Sequence, residues 1–515
     1  MVFDAAAEAP DAPFVWFESR TLTYGQVRER ILALAAGLAA AGIGQGDRVA
    51  ALLDDHPDAP ALWCAVNLLG ATWVPLNTAL VGTFLRHQLN DCDPCALVAD
   101  PAYVDAVTPH LTGLPSLRLV VGGFSGGVPA SVGVSTVERL AADPWTGDLP
   151  PGPAPDDTSL IMYTSGTTGP SKGCMLPHSY LCSTTRASSP NREIGDAVLS
   201  VLPFFHLNGL VNGYLNAAMR RSLLAIGGRF SVSRFWPIVE QSGARHVNLL
   251  GAMSGLLARM PDVPEIARCR GQIIVAGGAP YPPEVAEIWR SRFGARIIGS
   301  GAFGLTECSP VASTPKGIQA PEGSAGRANE LFEIRLLDDA DLEVPPGEVG
   351  EIAVRPRRPG AMFSGYWRRP QATLDAFRNL WFHTGDLARF DQDGWLHFVD
   401  RKADYLRRRG ENISSQEVEH VVLSHPGVHQ AAFHSVESEL AEDDDLMLTV
   451  VADAGHRVTE AELYSWLTGQ LPRFALPRYI EYRDELPVTA SGRVRKQELR
   501  GAGPGPRAWE RPCRR

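Results

Sequence analysis

Apolar positions between residues 21 and 100 change period several times. Val27, Ile31, Leu34 and Leu38 fall on one helical face and Gly42 stops the run, which predicts a helix over Val27 to Ala41. Arg48 to Leu53, after the turn Gly46-Asp47, predicts a short buried strand. Ala61 to Leu69 then predicts a second helix and Trp73 to Leu76 a second strand. This alternation predicts a parallel sheet covered on both faces. Asp143 to Asp157 is rich in Pro, Gly and Asp and has no period, so it predicts a connection into a strand over Ser159 to Tyr163. The alternation resumes at Arg245 to Leu250, Gln272 to Ala276 and Arg296 to Ile298. From Glu333 to Val354 strand-like runs punctuated by Asp338-Asp339 and Pro345-Pro346-Gly347 predict a β-rich subdomain.

The pattern changes again after Asp400. Ser414-Ser415-Gln416-Glu417 reads as a capping box for a helix ending at Leu423, and Val428 to Val436 as a strand. Thr459 to Glu462 is a second capping box, before a helix over Leu463 to Leu471. The expected fold class is therefore α/β. A large N-terminal domain of αβ-layered subdomains plus a β-rich subdomain would span residues 1–400, and a small α+β C-terminal domain residues 401–500. Residues 501–515, rich in Gly, Pro and Arg, are expected to be a disordered tail.

A length of 515 residues requires more than one core. A formal net charge of −10 argues against a nucleic-acid partner. No apolar run is long enough for a membrane span, and the start lacks the basic and apolar regions of a secretory signal, so the expected location is cytoplasmic. Cys92 and Cys95 form a CxxC, but a zinc site needs four ligands and no second pair accompanies them; buried free thiols are the expectation. Lysine occurs at Lys172, Lys316, Lys402 and Lys496 alone. Such a bias toward arginine weakens any argument from an Arg found where a Lys is expected.

The most informative segment runs from Tyr163 through Thr164, Ser165, Gly166, Thr167, Thr168, Gly169, Pro170 and Ser171 to Lys172 and Gly173. Its glycines free backbone N–H groups, its hydroxyls add donors and its lysine adds charge, so it can wrap a polyphosphate. Ser171 stands where a Walker A loop needs Gly before the Lys, so it is not that loop. Gly299 to Gly304 matches GxGxxG, but Pro310 and Pro315 follow with no helical period, which excludes a dinucleotide fold.

The Tyr163–Gly173 loop resembles the phosphate-binding signature of the adenylate-forming superfamily. The resemblance continues through Leu202-Pro203-Phe204-Phe205-His206-Leu207-Asn208-Gly209, Gly277-Gly278-Ala279-Pro280, Phe303-Gly304-Leu305-Thr306-Glu307, Trp381 to Asp386, Asp400-Arg401 and Arg408 to Ile413. Within that superfamily the wording is most similar to CoA ligases of the carnitine/crotonobetaine type. The resemblance implies an ATP-dependent ligase releasing AMP and pyrophosphate, with MgATP and coenzyme A as partners of a small carboxylic acid.

It implies that Thr164 to Gly169 and Lys172 hold phosphates, and that Gly277, Gly278, Ala279 and Phe303 (with Gly304) meet adenine. It further implies that Thr306 donates to the α-phosphate, Glu307 holds Mg²⁺, Asp386 accepts from the ribose and Arg401 reaches the nucleotide. The acid pocket candidates are His206, Asn208, Met253, Gly277 and Phe303. Lys402 and Ala403 form the implied hinge, and Arg409 and Gly410 the implied CoA tunnel, where Arg407 and Arg408 can also meet CoA phosphates or form a solvated basic turn.

Two positions depart from the family, and Phe303 in place of the commoner Tyr is a milder change. Arg493, after Ser491-Gly492, stands where the family places a catalytic lysine, and an extended guanidinium does not replace a compact ammonium. Lys496 lies nearby at the wrong offset, and Ala403 replaces a polar hinge residue. Arg493 keeps open an alternative set in secondary metabolism, ATP- and nitrite-dependent diazotisation of an amino-aryl acid. A second alternative is a non-catalytic nucleotide-binding relative.

Overall fold

The computed structural model describes residues 1–164, 170–188, 195–249, 251–278, 283–299, 302–318, 320–321, 323–338, 340–401, 405–408, 411–436, 445–453, 458–487, 494 and 496–512. The described residues form a mixed α/β fold with several sheets and a separate small C-terminal domain. The chain divides into two compact units. One comprises Met1–Thr78, Cys92–Met162 and Gly173–Asp400; the other comprises Ala79–Asp91, Tyr163–Lys172 and Arg401–Arg515.

The larger unit is built on two seven-stranded sheets. One has the order Gly133–Ser135, Leu119–Gly122, Ala96–Ala99, Arg48–Leu52, Thr72–Pro75, Thr158–Thr164, Lys172–Pro177. The other runs Ile297–Ile298, Val275–Gly278, His246–Leu249, Val198–Ser200, Leu224–Ile226, Pro13–Phe17, Arg20–Thr23. Pairing around Arg48–Leu52 and around Val198–Ser200 is parallel. Each of these two strands has a later strand on either side, so each marks a point where the strand order reverses. Ligands of open α/β sheets bind beyond the carboxyl ends of strands at such points.

A short helix, Val2–Glu8, comes first, and the first predicted helix follows from Tyr24 to Ala40, three residues earlier than the apolar period suggests, because Thr23 and Gln26 form a capping box. Val27, Ile31, Leu34 and Leu38 are all buried as expected. Each such side chain contributes about 1.5–3 kcal/mol by leaving water. Trp236, Trp289, Phe235 and Phe293 pack edge-to-face and tilted against one another beside the second sheet, and their bulk forms its core.

The predicted β-rich subdomain is a four-stranded sheet, Phe332–Leu337, Gly350–Pro356, Phe382–Phe390 and Leu396–Arg401. After Gly299 the chain enters a two-residue strand, Ala302–Phe303, paired antiparallel with Ala312–Ser313, so the GxGxxG lookalike opens no helix.

The smaller unit has a sheet ordered Val428–Val436, Asp445–Ala452, Tyr479–Tyr482, Trp509–Glu510. The Thr459–Glu462 capping box is present and starts the helix Glu460–Leu467. The expectation of a disordered tail is corrected by the structure. Trp509 and Glu510 pair antiparallel with Ile480 and Tyr479, Trp509 packs on Tyr464, and Arg478 binds Glu510 at 2.8 Å. Composition misses this because two ordered residues suffice to extend a sheet. No described helix is long and apolar enough to cross a membrane.

Candidate functional site

The phosphate-loop candidates Ser165, Gly166, Thr167, Thr168 and Gly169 lie outside the described residues, and the structure places the two ends of that loop. Thr164 ends the strand Thr158–Thr164 and Lys172 opens the strand Lys172–Pro177. Within the smaller unit, Ser171 is buried and held from three sides. Its N–H donates to the Glu417 carboxylate, its carbonyl meets His87 Nε2 at 3.0 Å, and its Oγ accepts from Gln88 Nε2 at 3.1 Å. Burial pushes Glu417 up to about 7, against the lowering effect of the Ser171 N–H. Glu417 therefore serves the loop that precedes Lys172, beyond the helix-start role its spacing suggests.

The larger unit gathers Phe303, Gly304, Thr306, Glu307 and Asp386. The turn after the strand Ala302–Phe303 closes through Leu305 and Cys308, whose backbones bond each other at 2.8 and 3.2 Å. Gly304 keeps the turn tight, since a Cβ would meet Ser309 Oγ at 2.8 Å and Ser309 Cα at 3.1 Å. The Tyr180 hydroxyl donates to the Thr306 carbonyl at 3.0 Å, and Phe363 N–H donates to the Glu307 carbonyl at 2.9 Å. The Glu307 side chain is 7% exposed and accepts from the Tyr366 hydroxyl at 2.9 Å. Burial and then the Glu307 charge push Tyr366 far above its ordinary pKa, so it stays a donor.

Asp386 is aimed by a bulge. Glu351 pairs with Leu387 and Ala353 with His383, so Thr384, Gly385 and Asp386 stand opposite Ile352 alone. Gly385 has a φ of 73° and its N–H donates to Glu351 Oε1 at 3.1 Å. Glu351 is itself buried, with His383 at 3.3 Å and Arg378 at 3.5 Å. The result is an Asp386 that is 3% exposed.

Burial first, then the charges of Glu307 and Asp386, raise the Cys308 thiol well above its usual range. Two buried carboxylates thus converge on one neutral thiol. Such a pair calls for compensating cations or donors. No group of three metal-ligating side chains gathers among the described residues. The donor set fits a hard cation that takes one protein carboxylate and completes its shell with phosphate oxygens and water.

Phe303 is half-buried and lies near-parallel to Phe398, with centroids 6.3 Å apart and planes at 28°. Phe398 is 46% exposed, so the pair keeps part of an aromatic face open to solvent. Gly277 is buried and, with Gly278, ends the strand Val275–Gly278; Ala279 lies outside the described residues.

Of the acid-side candidates, His206 and Asn208 come from the loop after Val198–Ser200. Phe204 is buried, His206 N–H closes a turn on the Pro203 carbonyl at 3.0 Å, and the Phe205 and His206 rings touch at 4.7 Å. Gly209 opens a π-helix, Gly209–Leu215, and a Cβ there would sit 2.3 Å from the Pro203 carbonyl oxygen. Asn208 accepts from Asn212 at 2.7 Å. Met253 packs on the aromatic core of the second sheet.

Several other candidates resolve differently. Arg408 is buried and donates to the Leu476 carbonyl at 2.9 Å, so neither a free CoA contact nor a solvated turn describes it. Lys496 Nζ is bonded to Ser415 Oγ at 2.6 Å and Glu419 at 2.8 Å, an internal tie within the small domain. Lys402, Ala403, Arg409, Gly410 and Arg493 lie outside the described residues, as does the side chain of Arg401. Cys92 and Cys95 are buried free thiols.

Tyr180, Tyr366, Glu351 and Phe398 were not legible as site residues. Each acts through tertiary placement, and nothing in its local sequence marks it.

Comparison with known proteins gives concordant matches. The AMP-binding enzyme family matches residues 2–367 and the AMP-binding enzyme C-terminal domain residues 417–493. Feruloyl-CoA synthases from Amycolatopsis sp and Streptomyces sp are each 34% identical over 500 residues, covering 96% of this chain and 96% of theirs. A crotonobetaine/carnitine–CoA ligase from Salmonella paratyphi C is 28% identical over 511 residues, covering 96% of this chain and 97% of its own. The solved o-succinylbenzoate CoA synthetase of Bacillus subtilis, bound to a product analogue, superposes with a TM-score of 0.81 at 25% identity over 98% of both chains. An amide bond synthetase from Marinactinospora thermotolerans superposes with a TM-score of 0.83 at 25% identity, covering 97% of this chain and 99% of its own.

Proposed function

From the premise that the chain belongs to the AMP-binding enzyme family, we propose that it activates an aryl-substituted carboxylic acid with ATP and transfers the acyl group to coenzyme A. The observation that carries this reading is the convergence of Glu307 and Asp386 on Cys308, in the turn that follows Phe303.

In this reading Asp386 accepts from the vicinal ribose hydroxyls, and Phe303 and Phe398 meet the adenine face. Glu307 holds Mg²⁺, with Tyr366 fixing the carboxylate. A bound Mg²⁺ supplies neutralisation of charge on the phosphate oxygens. The substrate carboxylate attacks the α-phosphorus, the α–β phosphoanhydride bond breaks, and pyrophosphate leaves with the electron pair. The chain's contribution is position and fixed charge. The CoA thiolate then attacks the acyl carbon and AMP departs. Lys172 and the Ser165–Gly169 loop are assigned to the phosphates, Arg401 to the nucleotide and Gly410 to the pantetheine path.

The relatives named above are CoA ligases or an amide bond synthetase, which favours a carboxylate substrate with a thiol or amine acceptor over nitrite. The 34% identity to feruloyl-CoA synthases supports an aryl acid. ATP and CoA as substrates support a cytoplasmic location.

The test is pyrophosphate release across ferulate, 4-coumarate, benzoate, octanoate and crotonobetaine, with and without CoA, and mass detection of the thioester. Aryl propenoates with CoA are expected to turn over fastest and to give the acyl-CoA. No pyrophosphate with any acid, or AMP without thioester, overturns the proposal.

A further inference from the structure

We infer that Asp55 is the positioning residue of the acid-side loop: its carboxylate clamps the Phe204 N–H and so fixes where His206 stands. The inference rests on the proposed reading of residues 202–208 as a wall of the acid site.

Asp55 follows the strand Arg48–Leu52, and Phe204 follows Val198–Ser200. These are the two strands at which the strand orders of the two large sheets reverse. One hydrogen bond, Phe204 N–H to Asp55 Oδ1 at 2.8 Å, therefore ties together the carboxyl ends where a ligand is expected. It is the sole hydrogen bond of the Asp55 side chain among the described residues.

The neighbouring acids are used elsewhere. Asp54 accepts from the Tyr103 hydroxyl at 2.6 Å and faces Arg229 at 3.4 Å, while Arg229 itself donates to Tyr103 at 2.6 Å. Asp100 takes the Asp54 N–H at 2.7 Å and His56 at 3.2 Å. Of the three carboxylates, only Asp55 addresses the Phe204–His206 turn.

The charged groups facing Asp55 are Asp54 and His56 from its own loop and His206 from the other. Burial, the largest influence, and then Asp54 hold its proton on; the Phe204 N–H, His56 and His206 pull the other way, and the balance sits at about 6. Above that value Phe204 N–H donates to a full carboxylate, a stronger bond than one to a neutral acid. Below it the clamp loosens and His206 loses a negative neighbour. The acid-binding step should therefore weaken as pH falls through about 6.

The test compares wild type, Asp55→Asn and Asp55→Ala with an aryl acid that the wild type turns over, from pH 5 to 9. Asp55→Ala is expected to raise KM for the acid about ten- to a hundredfold, with KM for ATP within about twofold. Deuterium exchange of the segment 202–206 should quicken in the same variant. Asp55→Asn keeps an oxygen for the Phe204 N–H but does not titrate. It should hold the exchange near wild type while moving the acid limb of kcat/KM for the acid to lower pH by about one unit.

An unchanged acid limb in Asp55→Asn overturns the inference, and so does an unchanged acid KM in Asp55→Ala. If the alanine variant does not fold, the asparagine profile decides alone. A wild type inert toward every acid sinks the functional reading instead, a separate and recognisable result.

Discussion

The nucleotide-side cradle and the acid-side loop solve opposite problems with the same residue types. The cradle buries two carboxylates, Glu307 and Asp386, and surrounds them with fixed donors and braces: the Tyr366 hydroxyl, the Glu351-pinned Gly385 turn and the Tyr180 bond to Thr306. The acid-side loop is tied to one titratable group, Asp55, through the Phe204 N–H, beside its own turn at His206. A shared substrate such as ATP rewards a rigid site made once. On the proposed reading, the cradle would carry the family's chemistry, and the loop is where this chain would set its own specificity.

The comparison can be broken in stages. Glu307→Gln keeps an oxygen for Tyr366 but removes the charge, and pyrophosphate release should fall about a hundredfold or more, read in a coupled assay at saturating acid. Tyr366→Phe leaves Glu307 without its brace, and kcat/KM for ATP should fall about tenfold while KM for the acid holds. Equal losses for ATP and acid would erase the distinction between the two regions.

Asp55→Asn should then raise stability, since ionising a half-buried carboxyl costs free energy. Its folded pKa of about 6 lies above the ordinary 3.8, so the folded state binds more protons between those values and loses stability as pH rises through them. The gain should be about 1–2 kcal/mol at pH 8, discounted for partial exposure, and vanish below about pH 4. Thermal melts at the two pH values check it. Phe398→Leu removes one aromatic face and should raise KM for ATP about threefold, with the acid KM unchanged.

Much of both units was legible because their periods are simple. The Val27–Leu38 stripe, the strand after Asp47 and the Thr459–Glu462 cap follow from local spacing, and the structure keeps them. The motif residues Phe303, Thr306, Glu307 and Asp386 were legible because several motifs occur in a fixed order along one chain. The braces were not. Tyr366 lies 59 residues from the Glu307 it serves, and Gly385 lies 34 residues from Glu351, distances over which no period speaks. Lys496 shows the reverse case: spacing marks it as out of register for catalysis, and only tertiary contacts show its role on Ser415 and Glu419. The ordered strand Trp509–Glu510 escaped because Gly and Pro dominate its surroundings.

The central claim is that the buried Asp386 side chain grips the ribose of the nucleotide. Calorimetric titration of AMP into wild type and Asp386→Ala tests it without needing the acid. AMP is expected to bind about a hundredfold more weakly to a variant whose circular dichroism matches wild type. An unchanged Kd for AMP would contradict it.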